Sequence, residues 1–514
     1  MSCPGGPVDV FRPLVLRRAR LLGQDAPVDV VLRDGHIASV RPAAATAGGS
    51  ASAAASGAAG SAVEAVDLDG RLVLPGLWDQ HTHLTQWALS RGRLDVSGAT
   101  SAAHAAALVR ERLATDPPTS GRPLVGIGFR DGSWPDRPTS ALLDAVAGDV
   151  PVVLVSGDLH CAWVSTAGLR LFGVPTHPTG VLRETEWMPL MGALDHVPDD
   201  VQDRLVADAL RAAAARGVVG VVDLEIADNV SVWRRRVEAG DPVVRVRAGV
   251  WPAYLDRVVA EELGTGDRVA GSRVTQGPLK IIVDGSLNTR TAWCHAPYPG
   301  VEGSLSHGVL NVPADELVPL LRHARAHGLT CAVHAIGDAA NALVLDAFAA
   351  TGARGSVEHA QLLGTGDVAR FAALGLTASV QPGHIPDDRD VADRHWAGRT
   401  HRAFPLADLH AAGVELAFGS DAPVAPLDPW LAVDAAVWRT GDARPSWHPE
   451  QAVDALTALA SSVDGRPLTP RAGDPADLVV LDDDPLALAT TPGAVRTTRV
   501  AATLVAATWT HTTL

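Results

Sequence analysis

The 43 lysines and arginines of this 514-residue chain include one lysine, Lys280. Arginine is a permanently charged fork, whereas a lysine amine can lose its proton and react. A neutral amine can also add carbon dioxide and become a carbamate, an anionic ligand able to bridge two metals. Lys280 sits in Pro278-Leu279-Lys280-Ile281-Ile282-Val283-Asp284-Gly285, which reads as a buried strand. An unpaired ammonium is costly to bury. The plain alternative is a lysine left by chance on the surface, and the apolar flanks speak against it.

Histidines and an aspartate supply further donors. In Leu74-Pro75-Gly76-Leu77-Trp78-Asp79-Gln80-His81-Thr82-His83, the two histidines are two residues apart. On a strand such residues share a face, so His81 and His83 can reach one metal. A lone HxH is weak evidence in a chain with 19 histidines. His334 follows the apolar run that ends at Val333, His359 ends the shorter Ser356-Val357-Glu358, and Asp421 follows Leu416-Ala417-Phe418-Gly419-Ser420. Taken singly, each reads equally well as a core histidine or a helix-capping aspartate.

The elements that must position these groups follow from the chain's patterning. From Gly76 to about residue 460, apolar runs alternate with Ala/Leu/Arg-rich helical stretches. The clearest strand candidates are Val152–Val155, Val218–Val222, Val243–Val250, Leu279–Val283, Thr330–Val333, Thr377–Val380 and Val414–Phe418. Alternation over this length predicts a parallel α/β sheet, with a (β/α)8 TIM-like barrel as the leading closed form. Such a barrel uses roughly 30 residues per strand–helix unit. Lys280, His334, His359 and Asp421 are spaced as the ends of strands 4, 5, 6 and 8, facing the C-terminal mouth where barrel active sites lie. His81 and Lys280 are 199 residues apart, against roughly 90 for three units. About 100 residues are therefore expected as an insertion, placed at about 90–215 and shaping the substrate site.

Short strands at both ends predict a small β-sandwich domain of residues 1–75 plus 466–514, beside a barrel of residues 76–465. Arg33-Asp34-Gly35-His36 predicts a hairpin turn, Asp69-Gly70 a second turn, and the Ala/Gly/Ser tract Ala43–Ser61 a loop.

The combination is specific. His81-x-His83, the strand lysine, the two later histidines and Ser420-Asp421-Ala422-Pro423 resemble the metal site of the amidohydrolase superfamily. Leu279–Ser286, His334-Ala335-Ile336-Gly337-Asp338, Glu358-His359, Gln381-Pro382-Gly383-His384 and Ala476-Asp477-Leu478-Val479-Val480-Leu481 resemble amidohydrolase family 3, the branch containing N-substituted formamide deformylases.

The resemblance implies a metal-dependent hydrolase of amide or formamide-type carbon–nitrogen bonds. His81, His83 and Asp421 would hold one metal, His334 and His359 a second, and carboxylated Lys280 would bridge them. Two zinc ions suit these donors, with manganese, iron or cobalt as alternatives. Metal-activated hydroxide would attack, with Asp421 as general base and then general acid. His160, in Asp158-Leu159-His160-Cys161-Ala162-Trp163, and His384 would face substrate, with core roles as the plain alternative. Asp338 reads as a supporting or helix-capping residue, and Asp284 as one that orients loops. Two rivals stay open: a mononuclear deaminase with Lys280 unmodified and His359 acting on substrate, and a non-catalytic scaffold, against which all six candidate ligands are present.

Bulk properties exclude other classes. A net charge of −15 argues against a nucleic-acid or anionic-membrane surface. Cys3, Cys161, Cys294 and Cys331 form no CxxC pair, so a disulfide framework is not expected and a reducing cytoplasm fits. No secretory leader or membrane-length apolar run is read. The expected partner is a small-molecule substrate, and a homodimer is the default assembly. Trp78, Trp87, Trp134, Trp163 and Trp187 lie in or near the insertion, where tryptophan is more often core than pocket wall.

Overall fold

The structure, a computed structural model, describes residues 13–43, 64–118, 122–131, 134–157, 161–174, 176–183, 186–187, 190 and 197–514. The chain divides into two compact units, one of Met1–His83 with Leu210–Leu514, the other of Leu84–Ala209.

The larger unit contains eight strands that lie side by side in chain order. They are Leu77–Thr82 (strand 1), Val218–Asp223 (strand 2), Arg245–Val250 (strand 3), Val274–Ile282 (strand 4), Cys331–Ala335 (strand 5), Gly355–His359 (strand 6), Thr377–Val380 (strand 7) and Leu416–Phe418 (strand 8). Every neighbouring pair is parallel. Strand 2, Val-Val-Gly-Val-Val-Asp, is buried at every position. A parallel strand covered on both faces favours such β-branched runs.

Just past their ends, strands 8 and 1 join. Asp421 N–H donates to the His81 carbonyl at 2.8 Å, and His83 N–H donates to the Ala422 carbonyl at 2.9 Å. The sheet is thereby a TIM-like α/β barrel. Its helices carry ordinary end signals. Ala314–Ala326 has Asp315 and Glu316 in its first turn and His323 and Arg325 in its last, matching the helix dipole. Asp338–Thr351 stops at Gly352 in the left-handed conformation. At Gly355, which starts strand 6, a Cβ would lie 1.8 Å from the Cys331 carbonyl oxygen; only glycine lets strands 5 and 6 approach there.

Barrel interiors are usually filled by apolar layers. Here polar side chains enter the lower half: Gln80, Arg247, Ser356, Glu358, Thr377 and Ser379 border a cavity of about 370 Å³ together with Val222, Ala332 and Leu416.

Both termini contribute to one eight-stranded sheet in the same unit. Leu72–Pro75 pairs antiparallel with Leu478–Leu481, joining the chain's start to its end. Leu14, Leu16, Val30, Leu32, Leu478 and Leu504 are buried in its core. Asp34 and Gly35, both at positive φ, turn Val28–Arg33 into His36–Pro42 as an antiparallel hairpin. Asp69-Gly70 also turns, but the segments flanking it, Glu64–Asp67 and Leu72–Pro75, both run parallel to Leu14–Leu21 rather than pairing with each other. The tract Ala43–Ser61 lies outside the described residues beyond Ala43.

The smaller unit has its own five-stranded sheet, ordered Val181–Arg183, Cys161–Val164, Val152–Ser156, Leu124–Phe129, Leu94–Asp95. Val152–Val155 therefore belongs here and not among the barrel strands. Its apolar run is that of a buried strand in either sheet, here antiparallel to Cys161–Val164 and parallel to Leu124–Phe129, so pattern alone could not assign it. The residues expected as an insertion before strand 4 all fall between strands 1 and 2. Phe129, Trp134 and Trp163 pack as an aromatic cluster in this unit, with Trp163 and Trp187 fully buried. No helix among the described residues is long and apolar enough to cross a membrane.

Candidate metal centre

The sequence motifs converge at the C-terminal ends of the barrel strands. His81 is in strand 1 and His83 one residue past it; Lys280 is in strand 4, His334 in strand 5 and His359 at the end of strand 6. Asp421 lies three residues past strand 8, and His384 in a short 3₁₀ turn after strand 7. The ring centroids of His81 and His83 are 5.7 Å apart, those of His81 and His359 5.0 Å, and those of His334 and His359 4.5 Å.

Two sets of three donors each lie within 4.8 Å of one another: His81, His83 and Asp421, and His359, His384 and Asp421. Asp421 is common to both. Its Oδ1 is 3.4 Å from Nε2 of His81 and of His83. His334 stands beside His359, but its Nε2 faces the Gly285 carbonyl at 3.2 Å and Asp284 Oδ1 at 3.3 Å. Lys280 Nζ is 3.2 Å from His81 Nε2.

Strand alternation alone would not gather these groups. His359 has φ +71° and Asp421 φ +57°. Non-glycine residues rarely adopt this left-handed region and do so at cost. At strand 6 the turn lets consecutive residues, Glu358 and His359, both serve the centre. At strand 8 it brings Asp421 over His81 and His83.

Burial sets the charge states. It pushes His81 down to about 4, with Lys280 adding to the effect. Burial, then His334, lowers His359 well below the usual imidazole value. Lys280 is 1% exposed, and burial lowers its ammonium against the pull of Glu358 and Asp421. Burial would raise the Asp421 carboxyl, but the surrounding histidines, His81 and His83 foremost, hold it well below the carboxylate range. His81 and His359 are thus held toward the neutral imidazole beside an ionised Asp421, the protonation state that divalent metals require of their ligands. At His83 burial is outweighed by Asp421 and Glu225, which raise it. The buried His83 Nδ1 has no hydrogen-bond partner among the described residues. The nitrogen that faces Asp421 is Nε2, and the imidazole and carboxylate donors gathered within 4.8 Å of one another are the chemistry that fits a cation.

Three buried carboxylates hold this arrangement. Asp79 Oδ1 accepts the backbone N–H groups of His81 at 3.1 Å and Ser420 at 2.9 Å, tying strand 1 to the Asp421 loop. Burial raises its carboxyl to about 6 despite those bonds. Asp284 accepts from Trp293, Ile336 and Gly337 N–H groups, clamping the loops after strands 4 and 5. Glu358 Oε2 lies 2.7 Å from His81 Nδ1.

The sequence reading gave no role to Asp79 or Glu358. Asp79 was legible, being two residues before His81 on one strand face. Glu358 was hidden, because regular alternation turns it away from its neighbour His359. Asp338 begins its helix and takes Arg402 at 3.3 Å and the His295 N–H at 2.9 Å, a supporting role. His160 lies outside the described residues.

The amidohydrolase family model matches residues 64–510. The chain belongs to the amidohydrolase family. Its relatives include the provisionally named amidohydrolase YtcJ of Bacillus subtilis (strain 168), 28% identical over 78% of this chain and 80% of that protein. The N-substituted formamide deformylase of Arthrobacter pascens is 28% identical over 83% of this chain and 86% of its own length. Among solved structures, an uncharacterized metal-dependent hydrolase from Pyrococcus horikoshii OT3 matches with TM-score 0.73 and 25% identity, covering 92% of this chain and 98% of that one. This amidohydrolase is a metal-dependent enzyme acting on a small-molecule substrate by hydrolysis, and the sets above are candidate donors among the described residues.

Proposed function

We propose that this amidohydrolase cleaves the carbon–nitrogen bond of a small non-peptide amide of the formamide type, with two divalent metals at the barrel mouth. Likeness to the formamide deformylase supports the bond type. The observation that carries the two-metal reading is Lys280: the chain's one lysine is buried at 1% exposure, makes no ion pair among the described residues, and lies 3.2 Å from a ring nitrogen of the HxH pair. Such an amine is held toward its neutral, carbon-dioxide-reactive form. As a carbamate, Lys280 would be the anionic ligand between His81, His83 and Asp421 on one side and His334 and His359 on the other. Zinc suits these donors.

The bound metals would supply Lewis acidity, lowering the pKa of water toward neutrality and polarising the carbonyl. Asp421 would take the proton of the attacking water and pass it to the leaving nitrogen, a base that becomes an acid. His384, whose Nε2 is 3.2 Å from the Ser420 carbonyl, shares the space with Asp421 and is assigned to the substrate oxygen.

A second reading has a specific observation behind it. His81, His83 and Asp421 form a three-donor set by themselves, while His334 Nε2 faces Gly285 and Asp284. A mononuclear deaminase would use one metal and leave Lys280 unmodified. Metal content per chain, measured on protein purified without chelators, separates the two. About two metals, a mass increase matching carbon dioxide on the Lys280 peptide, and loss of metal and turnover in Lys280→Arg support the binuclear hydrolase. One metal with turnover unchanged in Lys280→Arg overturns it.

A further inference from the structure

Glu358 is 1% exposed and makes no contact with substrate in the scheme above. Its two oxygens have separate partners. Oε2 lies 2.7 Å from His81 Nδ1, and Oε1 accepts the Ser356 hydroxyl. A carboxylate at that distance receives the Nδ1 proton, which leaves Nε2 with its lone pair free. Nε2 is the atom that faces Asp421 Oδ1 at 3.4 Å and Lys280 Nζ at 3.2 Å. The partner on one ring nitrogen thus decides what the other can bind.

The local backbone is arranged for this contact. Ser356 and Glu358 are two apart on strand 6 and share a face. The left-handed His359 then allows its own ring to reach the centre without displacing Glu358. Below Glu358 lies the cavity of about 370 Å³, which Ser356, Glu358 and Ser379 help to line. The Ser379 hydroxyl there is buried and has no partner among the described residues. Glu358 therefore lies between this hollow and His81, bordering the one and bonded to the other.

We infer that Glu358 is a positioning residue of the metal centre: steadied by Ser356, it fixes the tautomer and orientation in which His81 offers Nε2 to a divalent metal. This rests on the reading of His81 as a ligand. The experiment uses the full chain, metal-free and labelled with ¹⁵N-histidine, with His81 assigned through His81→Asn. Long-range ¹⁵N–¹H correlation reads the tautomer, and titration with cobalt(II) alone reads affinity.

The wild-type chain is expected to show His81 protonated on Nδ1. Glu358→Leu shifts that proton to Nε2 or to a mixture and weakens cobalt binding about 10- to 100-fold. Glu358→Gln, whose amide oxygen still accepts, retains the Nδ1–H form and loses severalfold less affinity. Thermal melting of each metal-free variant reports whether it folds, and Glu358→Gln carries the test if Glu358→Leu does not. Wild-type tautomer and cobalt affinity in folded Glu358→Leu overturn the inference, as does a Glu358→Gln chain whose His81 loses the Nδ1 proton. The ligand reading fails separately, if His81→Asn binds cobalt as tightly as wild type while the tautomer signal still responds to Glu358.

Discussion

The two ends of the barrel use polar side chains for opposite purposes. At the C-terminal end, His81, His83, His359, His384 and Asp421 crowd together as lone-pair donors, with the Lys280 amine beside His81. At the N-terminal end, arginines pair with carboxylates. Arg247 pairs with both oxygens of Asp464 at 2.6 and 2.7 Å, while its guanidinium lies 4.2 Å over the Trp78 ring. Gln80 donates to the same aspartate at 2.9 Å, and Arg245 grips Asp477. A cluster of lone-pair donors suits a cation; paired charges hold strands together. Active sites at one end and stabilising contacts at the other are the general division of labour in this barrel.

The sharpest way to test that contrast is to alter each end and compare what is lost. Asp421→Asn removes the shared carboxylate, and kcat should fall by about 10³-fold or more, read by initial rates on an N-formyl amine that the wild type turns over. If activity survives within tenfold, the mouth is not organised around Asp421. Removing metal with a chelator should likewise abolish turnover, and readdition of zinc should restore it. Chelator-resistant activity would contradict the metal dependence itself. His384→Asn should lower kcat/KM by about 10- to 100-fold, with metal content unchanged if it serves the substrate oxygen.

At the opposite end the expected effects are on stability. Arg247→Leu leaves Asp464 without its bidentate partner and should cost about 1–3 kcal/mol, seen as a lower melting temperature, with kcat within about twofold of wild type. A large loss of kcat in that folded variant would break the comparison, because the two ends would then be coupled. The smallest effect concerns Cys331 in strand 5, whose thiol burial pushes up to about 12. It should stay unmodified by thiol reagents at pH 8 in the folded chain and react after unfolding, as checked by peptide mass spectrometry.

Much of this centre was legible in the sequence. Lys280, His334, His359 and Asp421 fall on or just after strands 4, 5, 6 and 8, as their spacing predicts, because a regular barrel spends a roughly constant length per unit. The HxH pair needed only strand alternation. Residues whose roles depend on irregular backbone were not legible. Glu358 and His359 break the two-residue rhythm, and the left-handed φ that permits it leaves no mark in the residue types. The run Val152–Val155 shows the same limit for the fold, since a buried strand looks alike in either sheet.

The sequence by itself determined the set of reactive groups. It carries one lysine in an apolar run, an HxH after a glycine turn, and single donors at barrel spacing. Patterning and length fix such features locally. Only the tertiary structure decided how the donors divide: Asp421 shared between two sets, His384 drawn in beside His359, His334 turned toward Asp284, and His81 anchored by Glu358. Those relations join residues as far apart in the chain as His81 and Asp421. They depend on strand register and on two strained backbone positions, which exist only once the barrel has closed.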